Sequence, residues 1–191
     1  MSSNLARQLN ALGLLAISAV LTVAFVDQFV LKELPCPLCI LQRAGFVLAG
    51  AGLALNVAVG IRSSHYAIVI LGALAGAAIA LRQVALHVVP GTGAYGEPLL
   101  GLHFYTWAFL LFGLIIAGAA VLLLFGRQFA NIAGDGPETP SRSRLVQAAL
   151  IVFAILTLMN GVSTLAECGG GLCPDNPQGY EAFQFLKGWL R

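Results

Sequence analysis

Four cysteines, arranged as two closely spaced pairs, are the residues of this chain whose type and spacing best suit chemistry. Cys36 and Cys39 form a C-x-x-C motif, and Cys168 and Cys173 lie on either side of a Gly-Gly-Gly-Leu segment near the C-terminus. Paired thiols of this kind can form a disulfide that exchanges with another dithiol, and they can also bind a metal ion. Three interpretations are open at this point: redox-active disulfides, structural disulfides, and a site that handles zinc or copper.

The C-x-x-C pair lies where a helix is expected to begin. Pro37 suits the first helical position, because its missing N–H would have no partner there. Cys36 then lies at the helix cap and Cys39 in the first turn, where unpaired N–H groups and the helix dipole favour a thiolate. Arg43 follows one helical turn later, and an arginine within an apolar segment is costly without a partner. We expect it to stabilise the Cys39 thiolate or an anionic oxygen of a bound redox ring. The alternatives are a side chain that extends to the membrane surface and an ion pair with Asp27.

The composition places these residues in a membrane protein. Charged residues make up 9% of the 191, against about 25% in a soluble domain, while apolar residues make up 59% and the mean hydropathy is +0.88. So few polar groups could not cover the surface of a soluble fold of this length, which excludes a soluble enzyme and a disordered scaffold. The net charge of +2 is too small to indicate a nucleic acid or another polyanion as a partner.

Five apolar stretches are each long enough to cross a hydrocarbon core of about 30 Å. Helix is the expected form, because lipid offers no partners to an unpaired backbone and so few spans cannot close a barrel. The sequence therefore predicts an all-α, polytopic membrane helical bundle that forms a single membrane domain over residues 1–191. The predicted spans are residues 11–31, 38–61, 66–89, 104–125 and 145–165, and residues 166–191 form an extracytoplasmic tail.

The positive charges predict how the chain is oriented. With the N-terminus in the cytoplasm, five of these charges fall on the inner side and three on the outer side, in agreement with the positive-inside rule. All four cysteines then lie outside a bacterial inner membrane, in an oxidising compartment where disulfides persist. The inner charges are Arg7, Arg62, Arg127, Arg142 and Arg144, and the outer ones are Lys32, Lys187 and Arg191.

The segment around the first cysteine pair resembles the disulfide bond formation protein B (DsbB) family. Residues 35–43 carry the spacing P-C-x-L-C-x-x-x-R, which is specific to that family. The resemblance extends over residues 10–125 or so. Its further matches are Arg82-Gln83-Val84 near the end of the third span and Gly101-Leu102, followed by Trp107, at the start of the fourth.

The resemblance implies a function and a role for several residues. In that family a periplasmic thioredoxin-fold dithiol oxidase is reoxidised through two cysteine pairs, and the electrons pass to the membrane quinone pool. The resemblance implies that Cys36 and Cys39 are the quinone-coupled pair. It also implies that Arg43 lies beside the quinone ring and that Arg82 supports the quinone site. The implied cofactor is ubiquinone or menaquinone, and the implied partner is a DsbA-like protein.

Two departures from the family pattern concern the second cysteine pair. The family has four spans and carries that pair in the loop between the third and the fourth, whereas residues 89–103 of this chain contain no cysteine and a fifth span follows. A fifth span returns the C-terminus to the outer side. Cys168 and Cys173 thereby reach the compartment that the missing pair would occupy, so we expect them to replace it as the pair that faces the partner. A structural staple for the tail is the alternative.

A few other polar residues are candidates for the same site. His87 and His103 flank the outer loop, and either imidazole could hydrogen-bond a quinone carbonyl or pass protons to it. Asp27 is expected to pair with Arg43 or Arg82. Taken together, the residues predict a four-helix core with a fifth transmembrane helix and the function of a membrane thiol-disulfide oxidoreductase. A non-enzymatic membrane subunit with structural disulfides and a metal-handling membrane protein are the alternatives.

Overall fold

Five long helices make up most of the chain. The structure, a computed structural model, describes residues 1–89, 91–93, 96, 98–132 and 143–183. Within these residues every long helix is long and apolar enough to cross a membrane, which confirms the predicted all-helical membrane fold. Three of the positive charges on which the predicted orientation depends lie outside the described residues: Arg142, Lys187 and Arg191. The helices are α1 (Ser3–Phe29), α2 (Pro37–Ala58), α3 (Ser63–His87), α4 (Phe104–Leu123) and α5 (Arg144–Cys168), and a short 3-10 helix spans Gly126–Ile132.

The helix ends differ from the predicted spans where capping groups extend the helix beyond its apolar stretch. Helix α1 begins at Ser3 because the Ser2 side chain accepts a hydrogen bond from the Leu5 N–H at 3.3 Å. Helix α5 continues to Cys168 because Gly169, in the left-handed conformation at φ 61°, is the residue that ends it. Hydropathy alone places the end of that span at residue 165, and the difference brings one more turn of helix next to the second cysteine pair.

Helix α5 packs on the first two helices of the bundle. Helix α2 contacts α1 and α3, and α3 contacts α4, so these four helices form a connected core. Helix α5 contacts α1 and α2. This arrangement agrees with the predicted four-helix core and fifth helix, and it brings α5 to the helix that begins at the C-x-x-C motif.

Helices α2 and α3 approach each other closely at two glycines. A Cβ atom added to Gly45 would lie 2.8 Å from the Cα of Gly76, so no side chain fits between the two backbones. The Phe46 and Phe112 rings stack beside this contact with their centroids 4.0 Å apart. The contact holds α2 against α3 and thereby sets the position of the C-x-x-C end of α2 relative to the end of α3.

Replacing Gly76 tests this close approach. We expect Gly76→Val to lower the free energy of unfolding by about 1–3 kcal/mol, because the new side chain would collide with the fully buried Phe112 ring. Gly113→Val is the matched control, since a Cβ at Gly113 meets nothing within 4 Å. Unfolding both variants by SDS titration in mixed micelles measures the difference, and equal losses in the two variants would contradict the proposed contact.

Candidate redox site

The C-x-x-C pair is built into the start of α2. Cys36 is the N-cap residue, its Sγ accepts a hydrogen bond from the Cys39 N–H at 3.1 Å, and Pro37 occupies the first turn. Cys36 and Cys39 are joined by a disulfide. The structure therefore has the pair at a helix start, as predicted, and both sulfurs lie at the positive end of the helix dipole.

A glutamine from α3 contacts both sulfurs of this disulfide. Gln83 is 1% exposed, and its Nε2 donates toward Cys36 Sγ at 3.3 Å and Cys39 Sγ at 3.6 Å. Its Oε1 accepts a hydrogen bond from Gln42 Nε2 at 2.6 Å, which fixes the amide in this orientation. An amide donor at this place favours a thiolate over a thiol when the disulfide is opened.

Arg43 is held inside the bundle by α1. Its Nη1 donates to Gln28 Oε1 at 2.6 Å and its Nη2 to the Ala24 carbonyl oxygen at 2.9 Å. The guanidinium also lies over the Phe25 ring, 5.5 Å from the centroid. These contacts keep the side chain beside α1 instead of extended along the membrane surface, and Asp27 acts on it electrostatically.

A cavity of about 350 Å³ brings Cys39 and Arg43 to one wall. Gln42 and Asp27 also line it, and most of the remaining wall is apolar or aromatic. A second, apolar cavity of about 420 Å³ shares wall residues with the first and extends toward the other end of the bundle. The shared residues are Val20, Phe46 and Leu111, and the aromatic residues of the first cavity are Phe46, Phe104, Tyr105 and Trp107.

The two outer histidines and Arg82 lie outside this cavity wall. His87 and His103 each stack on the Tyr105 ring with centroids 5.3 Å apart, and Tyr105 is the residue of this group that lines the cavity. His87 Nδ1 lies 2.8 Å from the Gln83 carbonyl oxygen. Arg82 is exposed on α3. The neighbouring residue Gln83 points to the disulfide and contacts its sulfurs.

The second cysteine pair forms a disulfide at the end of α5. Cys168 is the last residue of the helix, and Cys173 is bonded to it across a turn in which the Gly171 N–H donates to the Cys168 carbonyl oxygen at 3.0 Å. Gly169 and Gly170 both have positive φ, at 61° and 80°, which their lack of a side chain permits. Leu172, next to Cys173, is 98% exposed. The turn is thus open to another molecule at Leu172, and of the two cysteines Cys168 is buried and Cys173 is half-buried.

Gln28 of α1 connects Arg43 to helix α5 and to the segment that follows the second disulfide. Gln28 accepts from Arg43 through Oε1, and its Nε2 donates to Ser163 Oγ at 2.8 Å and to the Tyr180 hydroxyl at 3.2 Å. Arg43 on α2 is therefore joined through α1 to α5 and to the tail that follows the second disulfide.

Several of these residues were not identified from the sequence. Gln28, Gln42, Gln83 and Glu167 are all buried, and none of them is among the site residues predicted from the sequence, although Gln83 lies in a segment that matches the family. A signal for them exists, because a polar side chain within an apolar span requires a partner. Among the described residues no group of three or more His, Cys, Asp or Glu side chains is placed to hold a metal ion.

The comparisons with known proteins cover the first half of the chain. The sequence model of the family described as "Disulfide bond formation protein DsbB" matches residues 6–97. Curated relatives named "Disulfide bond formation protein B" from Burkholderia pseudomallei, Burkholderia mallei and Burkholderia thailandensis are each 38% identical over 91 residues, covering 44% of this chain and 52% of the relative. This chain thus spans about half the length of the curated relatives it matches, and no solved structure matches it.

The matched segment holds the first redox pair and its immediate surroundings. Cys36, Cys39, Arg43, Gln28 and Gln83 all lie within residues 6–97, whereas α5 and the second disulfide lie beyond them. Residues 6–97 of this chain are thus similar to the DsbB family, in agreement with the resemblance that the motif around the first pair indicates.

Proposed function

We propose that this protein is a quinone-dependent thiol-disulfide oxidoreductase of a bacterial inner membrane. It reoxidises a periplasmic thioredoxin-fold dithiol protein and passes the electrons to ubiquinone or menaquinone. The family supports a membrane protein of disulfide bond formation. The observation that carries the finer proposal is the cavity in which Cys39 and Arg43 share a wall with aromatic side chains.

The residues around this cavity fit a quinone. A flat ring with two carbonyl oxygens needs apolar walls and a few donors, and this cavity offers aromatic walls with the Arg43 guanidinium and the Gln42 amide. The adjoining apolar cavity suits the polyprenyl chain that such a ring carries in membranes. When bound, the quinone would supply the two-electron oxidant of the reaction.

Two thiol-disulfide exchanges carry the electrons through this chain. A thiolate of the reduced partner attacks the Cys168–Cys173 disulfide, and its second thiol resolves the mixed disulfide, so that the partner is oxidised and the tail pair is reduced. The tail dithiol then reduces Cys36–Cys39 in the same way, and the tail disulfide forms again. Each exchange breaks one S–S bond and forms another, so the two electrons and two protons of the partner dithiol reach the first pair.

The surroundings of the first pair prepare it for reoxidation. The α2 N-terminus and the Arg43 guanidinium favour the thiolate of Cys39, which is the sulfur that lines the cavity. Gln83 holds both sulfurs from the α3 side. Cys36 does not line the cavity, so we assign it the exchange with the tail dithiol and assign Cys39 the side that faces the quinone.

Quinone absorbance during anaerobic mixing tests the proposal. Purified protein in detergent receives a short-chain quinone and an excess of a reduced thioredoxin-fold dithiol, and a parallel sample receives a small dithiol. We expect loss of the quinone band in both samples, with one quinone reduced for each dithiol oxidised. No protein-dependent loss with either dithiol would remove the enzyme from consideration and favour the structural disulfides.

The same preparation distinguishes the proposed oxidoreductase from a metal-handling protein. A count of thiols by alkylation, before and after reduction, reports whether the cysteines are isolated as disulfides or as free thiols. A metal-handling protein would show free thiols together with bound zinc or copper in stoichiometric amount. We expect two disulfides for each chain, as the structure has them.

A further inference from the structure

Helix α5 buries a carboxylate beside the redox site. Glu167 lies in the last turn of α5, is 1% exposed, and its Oε2 has no hydrogen-bond partner among the described residues. A buried carboxylate without hydrogen bonds is unfavourable unless a positive charge lies near it. Ser163, one helical turn earlier on the same face of α5, bonds Gln28 at 2.8 Å and so sets which way this face points.

The positive charge on this side of the bundle is Arg43, which Gln28 joins through hydrogen bonds to Ser163 on the same face of α5. Of the ionisable groups that act on the Arg43 guanidinium, Glu167 has the strongest electrostatic effect, followed by Asp27 and Tyr180. The two hydrogen bonds of Arg43 go to neutral acceptors, Gln28 and the Ala24 carbonyl. Glu167 is one of the two carboxyl groups that act on it electrostatically, and it comes from α5, a helix that lies outside the segment matched to the family.

We propose that Glu167 is a positioning residue for Arg43 and thereby lowers the reduction potential of the Cys36–Cys39 pair. The carboxylate draws the guanidinium toward α1 and α5, which limits the positive potential at Cys39. Since that potential stabilises the Cys39 thiolate of the reduced pair, Glu167 shifts the equilibrium toward the disulfide. The inference rests on the proposed function only in that Cys36–Cys39 is taken to be redox-active. It makes α5 a part of the redox site.

A glutathione titration without quinone tests the proposal. The parent protein for all variants is the full chain with Cys168→Ser and Cys173→Ser, so that only the Cys36–Cys39 pair titrates. It is equilibrated in quinone-free detergent with mixtures of reduced and oxidised glutathione, and alkylation gives the reduced fraction. We expect Glu167→Gln to raise the equilibrium constant for reduction about tenfold, which is about 30 mV for a two-electron couple.

Matched variants separate charge from packing. Thr157→Val replaces another polar side chain of α5, whose buried Oγ1 has no hydrogen-bond partner among the described residues, without a change in charge, and we expect its equilibrium constant to stay within twofold of the parent. Glu167→Asp keeps the negative charge, so its equilibrium constant for reduction should lie closer to that of the parent than to that of Glu167→Gln. An equilibrium constant for Glu167→Gln equal to or below that of the parent would overturn the proposal, and so would an equal rise in Thr157→Val.

A double-mutant cycle tests whether Glu167 acts through Arg43. In an Arg43→Gln background we expect Glu167→Gln to change the equilibrium constant by less than threefold. A full tenfold change there would overturn the positioning role. Because the titration contains no quinone, a failure of the quinone assay leaves its result intact, so the two proposals fail independently.

Discussion

Cys36→Ser and Cys39→Ser are each expected to abolish dithiol-dependent quinone reduction, down to the rate measured without protein. The physical reason is that a single thiol cannot form the intramolecular disulfide through which two electrons enter and leave the site. Arg43, Gln83 and the cavity would remain, but none of them can exchange electrons with a thiol. Quinone absorbance in the anaerobic assay, with a small dithiol as donor, measures the loss.

The geometry of α2 makes serine a suitable substitution for this test. Cys36 is the N-cap residue of α2, and serine is itself a favoured N-cap, so the helix start keeps its capping hydrogen bond. A loss of turnover in Cys36→Ser is then a loss of the sulfur and not of the helix. The Cys168–Cys173 disulfide should still be detectable by alkylation in both variants, which controls for folding. Retained quinone reduction in either variant would exclude Cys36–Cys39 as the quinone-coupled pair.

The helices and the first cysteine pair could be predicted from the sequence because each depends on short-range properties. A span is defined by about 20 consecutive apolar residues, and the structure has a helix at each of the predicted five. The placement of Cys36 at a cap follows from Pro37 alone, since proline has no N–H to lose at the first helical position. The predicted ends of the helices were less accurate, because the capping residues Ser2 and Gly169 lie outside the apolar stretches.

The polar contacts of the site could not be predicted, because they depend on how each helix is rotated about its axis. Gln83 and Cys36 are 47 residues apart in the chain, and Gln28 and Ser163 are 135 apart. Hydropathy assigns such side chains to a span but does not say which neighbouring helix they face. For the same reason the sequence does not say which of the neighbours Arg82 and Gln83 faces the start of α2, where the structure has Gln83 bonded to the sulfurs and Arg82 exposed.

Glu167 was missed for a different reason. A helix end placed at residue 165 assigns this glutamate to an extracytoplasmic tail, where a carboxylate needs no partner. The extra turn of α5, which ends at Gly169, places the same residue inside the bundle, 1% exposed, on the helix face from which Ser163 bonds Gln28. An error of one helical turn at a boundary is therefore enough to hide a residue that belongs to the site.

The role of the second pair rests on the path of the chain and not on the family. The match to the family model ends at residue 97, so it carries no information about Cys168 or Cys173. The structure brings the end of α5 to the redox site through the Gln28 contacts with Ser163 and Tyr180. A disulfide at the end of that helix lies at the same end of the bundle as the first pair, which is the geometry that an exchange between the two requires.

A partner-selective loss of activity is the result we expect from Cys168→Ser. The tail disulfide would be absent, so a thioredoxin-fold dithiol could not be oxidised at the exposed turn, and its rate should fall at least about a hundredfold. A small dithiol reaches Cys36–Cys39 directly, so its rate should stay within about threefold of the rate of the protein with all four cysteines. A factor of ten in rate corresponds to about 1.4 kcal/mol in the activation barrier. The ratio of the two rates, measured on one preparation by quinone absorbance, is the quantity to compare.

The small dithiol is the internal control for this variant, because it reports whether the first site is intact. Cys173→Ser should give the same ratio, since either substitution removes the same disulfide. If the variant oxidised the thioredoxin-fold dithiol as fast as the protein with all four cysteines does, the tail disulfide would be a structural staple, and the partner would reach Cys36–Cys39 without it. An equal fall with both donors would instead mean that the staple holds α5, and with it Glu167, against Arg43, and the shuttle role would then lose its support.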